Sequence, residues 1–151
     1  MSLFRDCRTA VKALWTLHWP GAYSAVPVYW HENAANTETA VPDDPADTPR
    51  WLHLAVEFDA EGIRAFGGGI GANDRALFGS VIIRVFTGRG AGEDTALDYL
   101  SDALACFVGR RSADGNLSCI GANTFPAPLA AVDGIWWQRS ALASFEYRYQ
   151  G

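Results

Sequence analysis

The segment Leu77–Phe86 constrains this chain more than any other. As a strand it is apolar on both faces, with Leu77, Val81, Ile83 and Val85 set against Phe78, Ile82 and Phe86. That pattern predicts a central strand covered on each side. Two further segments offer it neighbours. Trp51–Phe58 alternates, with Leu52, Leu54, Val56 and Phe58 on one face and Trp51, His53, Ala55 and Glu57 on the other. Ile135–Tyr149 places Trp137, Ala141, Ala143, Phe145, Tyr147 and Tyr149 on one side, and Gln138, Ser140, Ser144, Glu146 and Arg148 mostly on the other. A strand that long exceeds the usual five or six residues and predicts a bend or bulge midway.

Shorter strands are expected at Val26–Trp30 and Leu117–Ile120. Pro27 lacks an N–H donor, so the first of these belongs at a sheet edge or begins at Val28. Ile63–Phe66 reads as a hairpin partner to Trp51–Phe58 across Asp59-Ala60-Glu61-Gly62.

Two segments have helical spacing. Leu3, Cys7, Ala10, Val11, Leu14 and Leu17 recur every three or four residues, with Ser2 placed to cap the start and Pro20-Gly21 to end it. From Asp94 to Val108, the residues Ala96, Leu97, Leu100, Ala103, Leu104 and Phe107 form a stripe, while Asp98, Ser101 and Asp102 face water. Gly109 closes this helix, and Arg110 and Arg111 suit the negative end of its dipole. The expected fold is α+β: a mainly antiparallel or mixed sheet with two amphipathic helices on one face. Asn33–Pro49 and Gly121–Gly134 are loops by composition.

With 49% apolar and 19% charged residues, 151 residues make one domain with a real core. A net charge of -5 argues against a globally basic nucleic-acid binder. No apolar run approaches the roughly 20 residues of a membrane helix. The opening MSLFRDCRTAVKALW carries charges in its apolar stretch and no small-residue cleavage site, which predicts no signal peptide. Three cysteines, Cys7, Cys106 and Cys119, with no CxxC pair, suit a reducing compartment, and Cys7 and Cys106 lie on the apolar sides of the helices.

Patterns that often carry chemistry lack their contexts. Gly67-Gly68-Gly69-Ile70-Gly71 leads into a strand rather than a helix, so it reads as a strand-to-strand loop and not a phosphate cradle. His18, His31 and His53 fall in three elements without metal-ligand spacing. Ser80 sits within a strand and not in a Gly-x-Ser-x-Gly turn. No catalytic residue, cofactor or metal is expected.

Charge and aromatics carry more information. Glu32–Glu61 holds eight acidic residues against Arg50 alone, a local net of -7, which leaves +2 for the rest. This reads either as a solvated loop or as an acidic surface opposite a basic one, which suits head-to-tail contacts between copies. Six tryptophans are many for this size. Trp136 and Trp137 are adjacent in a strand, so one must leave the helix-covered core. The candidate protein–protein contacts are therefore Trp30, Trp51, Trp136 and Trp137, the acidic Glu32, Asp43 and Asp44, and Arg50, Arg75 and Arg89.

The order of these segments resembles a known family. Val26-Pro27-Val28-Tyr29-Trp30-His31-Glu32-Asn33 precedes a Pro-rich loop, and Asp47-Thr48-Pro49-Arg50-Trp51-Leu52-His53-Leu54 enters a strand. A Gly-rich hairpin, the strand Val81–Phe86, a turn with Gly88, Gly90 and Gly92, and an amphipathic helix follow. The sequence is similar over nearly its whole length, as one domain spanning 1–151, to the tail-terminator (tail-completion) proteins of long, non-contractile-tailed phages and gene transfer agents.

The resemblance implies a virion protein and not an enzyme. Such a protein forms a homohexameric ring that caps the tail tube protein and offers its other face to the head-completion (neck) protein. DNA passes through the channel without sequence-specific binding, and no membrane is involved. It would be made in the host bacterial cytoplasm and reside at the head–tail junction. Two alternatives stand beside it: a neck protein of related fold, and a small ligand-binding domain or enzyme using Gly67–Gly71 and His53.

Overall fold

A sheet built around β3 (Asp74–Gly88) organises the chain. The computed structural model describes residues 2–31, 50–65, 73–88, 93–124, 131–132 and 136–150. The Asn33–Pro49 and Gly67–Gly71 loops lie outside them. β2 (Arg50–Ala65) and β6 (Trp136–Gln150) flank β3, both antiparallel to it. β1 (Val28–Trp30) pairs in parallel with β2, while β4 (Leu117–Thr124) and the two-residue β5 (Ala131–Val132) pair with β6. The sheet is thus mixed and mainly antiparallel, with helices α1 (Leu3–His18) and α2 (Glu93–Ala105) packed on one face, an α+β fold.

The central position expected of Leu77–Phe86 follows from its apolarity. Its helix-side residues Leu77, Val81, Ile83 and Val85 are almost wholly buried. They meet Leu52 and Leu54 of β2, Ala141, Ala143 and Phe145 of β6, and Leu117 and Cys119 of β4. The covering of its second face is only partial: Phe78 and Ile82 are half-buried, and Phe86 lies under Trp51. Among the described residues, no helix packs on that second face.

The strands run longer than their sequence patterns. The hairpin expected across Asp59-Ala60-Glu61-Gly62 does not form, because β2 continues through these residues along β3. A bulge at Asp59, between Phe58↔Gly79 and Ala60↔Phe78, absorbs the break in alternation and keeps the ladder intact. Gly79 is required there. A Cβ on it would lie 2.2 Å from the Glu57 carbonyl oxygen and 2.6 Å from the Phe145 ring.

The bend expected in the last strand is absent from its ladder with β3, which runs in unbroken register from Gly88↔Trp136 to Asp74↔Gln150. The irregularity falls instead on β4, where Ile120 bulges out between Cys119 and Gly121. β4 also extends to Thr124 and β5 forms at Ala131–Val132, so Gly121–Gly134 is not all loop.

The helices bury slightly different stripes from those expected. In α1 they are Cys7, Val11, Leu14 and Trp15, and Leu17 is 74% exposed. In α2 they are Ala96, Tyr99, Leu100 and Ala103, and Leu97 is 42% exposed. At about 100° per residue, Leu17 and Leu97 lie at the margins of their stripes, and the large rings of Trp15 and Tyr99 take the inward positions. Trp15 stacks on Phe107 with centroids 5.9 Å apart, joining the first helix to the turn after the second. Ser2 occupies the N-cap of α1, yet its side chain makes no capping bond; only its carbonyl accepts, from Asp6 N–H. α2 starts at Glu93 and ends at Ala105, short of Val108. Its chain then turns into Gly109 (φ +74°), while the Arg110 guanidinium donates to the Ala105 carbonyl.

Candidate assembly surface

The family-like segments meet in space. The parallel β1–β2 pair registers Val28 with Leu52, Tyr29 with His53 and Trp30 with Leu54. Pro27, just before β1, uses the one backbone group it has: its carbonyl accepts from Leu52 N–H at 2.9 Å. His31 N–H closes the pair on the Leu54 carbonyl at 2.7 Å. Beyond Leu54, no described strand pairs with the outer edge of β2.

The tryptophans divide into three groups. Trp15, Trp19 and Trp30 gather on the helix side. Trp15 and Trp19 stack at 4.4 Å, and Trp30 meets Trp15 edge-on at 6.3 Å. Tyr23 and Tyr99 extend the cluster, 4.7 Å apart, and the Tyr23 hydroxyl donates to Asp102 at 2.7 Å. Trp51 lies on the opposite face, stacked on Phe86 at 3.9 Å with nearly parallel rings, and Tyr29 stands edge-on to it. At 3% exposure, Trp51 spends its surface within the chain. Among the described side chains, Trp137 is the exposed tryptophan, 37% accessible, on β6 opposite Thr87. Trp136 pairs with Gly88 and Val132 through the backbone.

Of the charged candidates, Arg50 sits exposed with its guanidinium 5.3 Å from the Tyr99 ring centroid. Arg75 contacts Glu61 at 3.2 Å, and Glu61 also accepts from the Tyr149 hydroxyl. These partners tie the far ends of β2, β3 and β6 together. Glu32, Asp43, Asp44 and Arg89 lie outside the described residues. The described candidates therefore do not converge on one patch. Trp30, Arg50 and Trp51 lie near the β1–β2 corner, while Arg75 lies at the other end of β3.

A groove that the sequence reading missed lies along the outer edge of β2. It has a volume of about 350 Å³ and is lined by Phe4, Arg5 and Arg8 of α1, by His31, and by Val56, Glu57 and Phe58 of β2. Phe4 is 48% exposed and packs edge-on against Phe58 at 4.9 Å. One turn further along α1, the Lys12 ammonium stands 5.4 Å from the Trp30 ring centroid. The spacing of Arg5, Arg8 and Lys12 at three and four residues held the signal, since it sets three cations on one flank of the helix.

Burial sets the titration of the partly buried His53 and of the three cysteines. His53 rings with His31 at 5.8 Å, and burial, then Arg84, then His31 lower its pKa. Burial pushes Cys7 up to about 12 and Cys106 and Cys119 up to about 11, leaving three protonated thiols that behave as small hydrophobes.

No family model matches this sequence. No curated protein matches it either. One solved structure that bears no functional name is similar, with a TM-score of 0.52 and 17% identity over 95% of this chain and 96% of that one. Identity at that level speaks for the fold alone. No helix among the described residues is long and apolar enough to cross a membrane.

Proposed function

We propose that this chain is a structural protein of a phage or gene-transfer-agent particle, a tail terminator. In that role it closes into a homohexameric ring on the end of the tail tube and joins it to the head-completion complex. The observation that carries this reading is the β1–β2 pair. The two sequence segments that resemble the family, separated by a Pro-rich stretch, lie side by side in register at the sheet edge. The distribution of function-bearing groups supports the same reading. The groove and the exposed Trp137 offer surfaces for contact, and a subunit that meets unlike surfaces of its neighbours forms a ring where the rotation between neighbours closes. DNA sliding through such a ring is not gripped, which fits an acidic subunit with a net charge of -5.

Inactivating the gene tests the proposal in the particle. Electron micrographs are expected to show unjoined heads and tail tubes of unregulated length, with normal particles restored on complementation. Joined, normal particles without the protein would contradict it. Tubes of correct length that still lack heads would point to the neck position instead.

A further inference from the structure

The two helices share one face of the sheet but carry opposite charge. α1 holds Arg5, Arg8 and Lys12 against Asp6. α2 holds Glu93, Asp94, Asp98 and Asp102 and no basic residue. Among the described residues, Glu93 pairs with Arg139 and Asp102 accepts from the Tyr23 hydroxyl. Asp94 and Asp98 remain on the exposed side, with the 42% exposed Leu97 between them. An acidic helix flank centred on an open leucine is the complement of the groove described above. That groove has an apolar floor of Val56, Phe58 and Phe4 and a cationic α1 wall, with Glu57 as the one acidic lining residue.

We infer that copies of this chain join head to tail by seating the Asp94-Leu97-Asp98 flank of α2 on the α1–β2 groove of the next copy. The inference rests on the ring reading above and names its contact. Leu97 covers the exposed edge of Phe4, while Asp94 and Asp98 face Arg5 and Arg8 across the seam. The two surfaces differ, so the contact is heterologous and leaves each copy with one groove and one helix flank for its neighbours. A specific interface buries at least about 1,000 Å² in total. The helix and groove are therefore its anchor, and the outer edge of β2 beyond Leu54, which no described strand pairs, adjoins it with further polar surface. Because the charges lie near the rim, salt weakens the contact.

Charge exchange tests this. R5E/R8E and D94R/D98R each set like charges against one another, and self-association measured by light scattering is expected to weaken about tenfold or more. The quadruple variant R5E/R8E/D94R/D98R, and an equimolar mixture of the two double variants, restore complementary pairs and regain assembly. A second measurement leaves Arg8, Asp94 and Asp98 in place and reads the contact directly. The native cysteines are buried, so mixed R5C and L97C chains under mild oxidation are expected to give disulfide-linked heterodimers in excess of either homodimer. Native-like assembly of both double variants, or cross-linking without that excess, overturns the inference. If either result comes from a chain that still forms rings, the ring reading survives. A native chain that stays monomeric alone and beside tail tubes removes both.

Discussion

α1 and α2 are alike on the inside and unlike on the outside. Each lays four buried residues on the same sheet face, and each leaves one leucine in water. Their inner stripes are interchangeable in chemistry, whereas their outer flanks carry opposite charge. The difference separates two demands on one element. Burial fixes where a helix sits, and the residues that burial leaves over are available for contact with another molecule.

The largest effects are expected inside. Leu14→Ala and Leu100→Ala, at positions 3% and 6% exposed, should each lower unfolding free energy by about 2–5 kcal/mol in denaturant titrations. A marked asymmetry between them would break the equivalence of the two helices. Gly79→Ala sharpens the comparison on the sheet side, where a Cβ at Gly79 would press on the Phe145 ring, itself edge-on to Phe58. Overpacking there should cost about 1–3 kcal/mol by the same titration.

A smaller effect follows from His53. Its folded pKa lies below the unfolded value, so the unfolded chain binds more protons as pH falls below about 6.5. Stability should therefore be full above that pH and decline below it, and His53→Gln should flatten the decline in melting temperature between pH 7 and pH 5. Smallest of all, Leu17→Ala and Leu97→Ala should stay within about 0.5 kcal/mol of the native chain in stability. A larger loss would place either leucine inside the core.

Much of this fold is legible in the residues because burial writes a period. Two-faced apolarity put β3 at the centre, and Pro27 put β1 at the edge. What misled was local polarity and stripe width. Asp59-Ala60-Glu61-Gly62 has turn composition, but a ladder with fourteen-residue reach along β3 held it extended, with register shifts at Phe58/Ala60 and Ile63/Ala65 as the cost. Leu17 and Leu97 have the right residue type at the wrong angle, and Trp15 and Tyr99 replaced them. The site was less legible. Trp51 reads as an exposed anchor until its cross-strand partner Phe86 is known, because stacking depends on register and not on either residue alone. The α1 cations have helical spacing in the sequence, yet only the packing of α1 over the β2 edge turns them into the wall of a groove.

Self-association into a closed ring is tested most directly by the absolute mass of the native chain in solution, measured by light scattering across concentration and in the presence of tail tubes. The expected result is a species of six times the 16.4 kDa chain mass, at high concentration or on the tube end. A mass of one chain under every one of these conditions would contradict it.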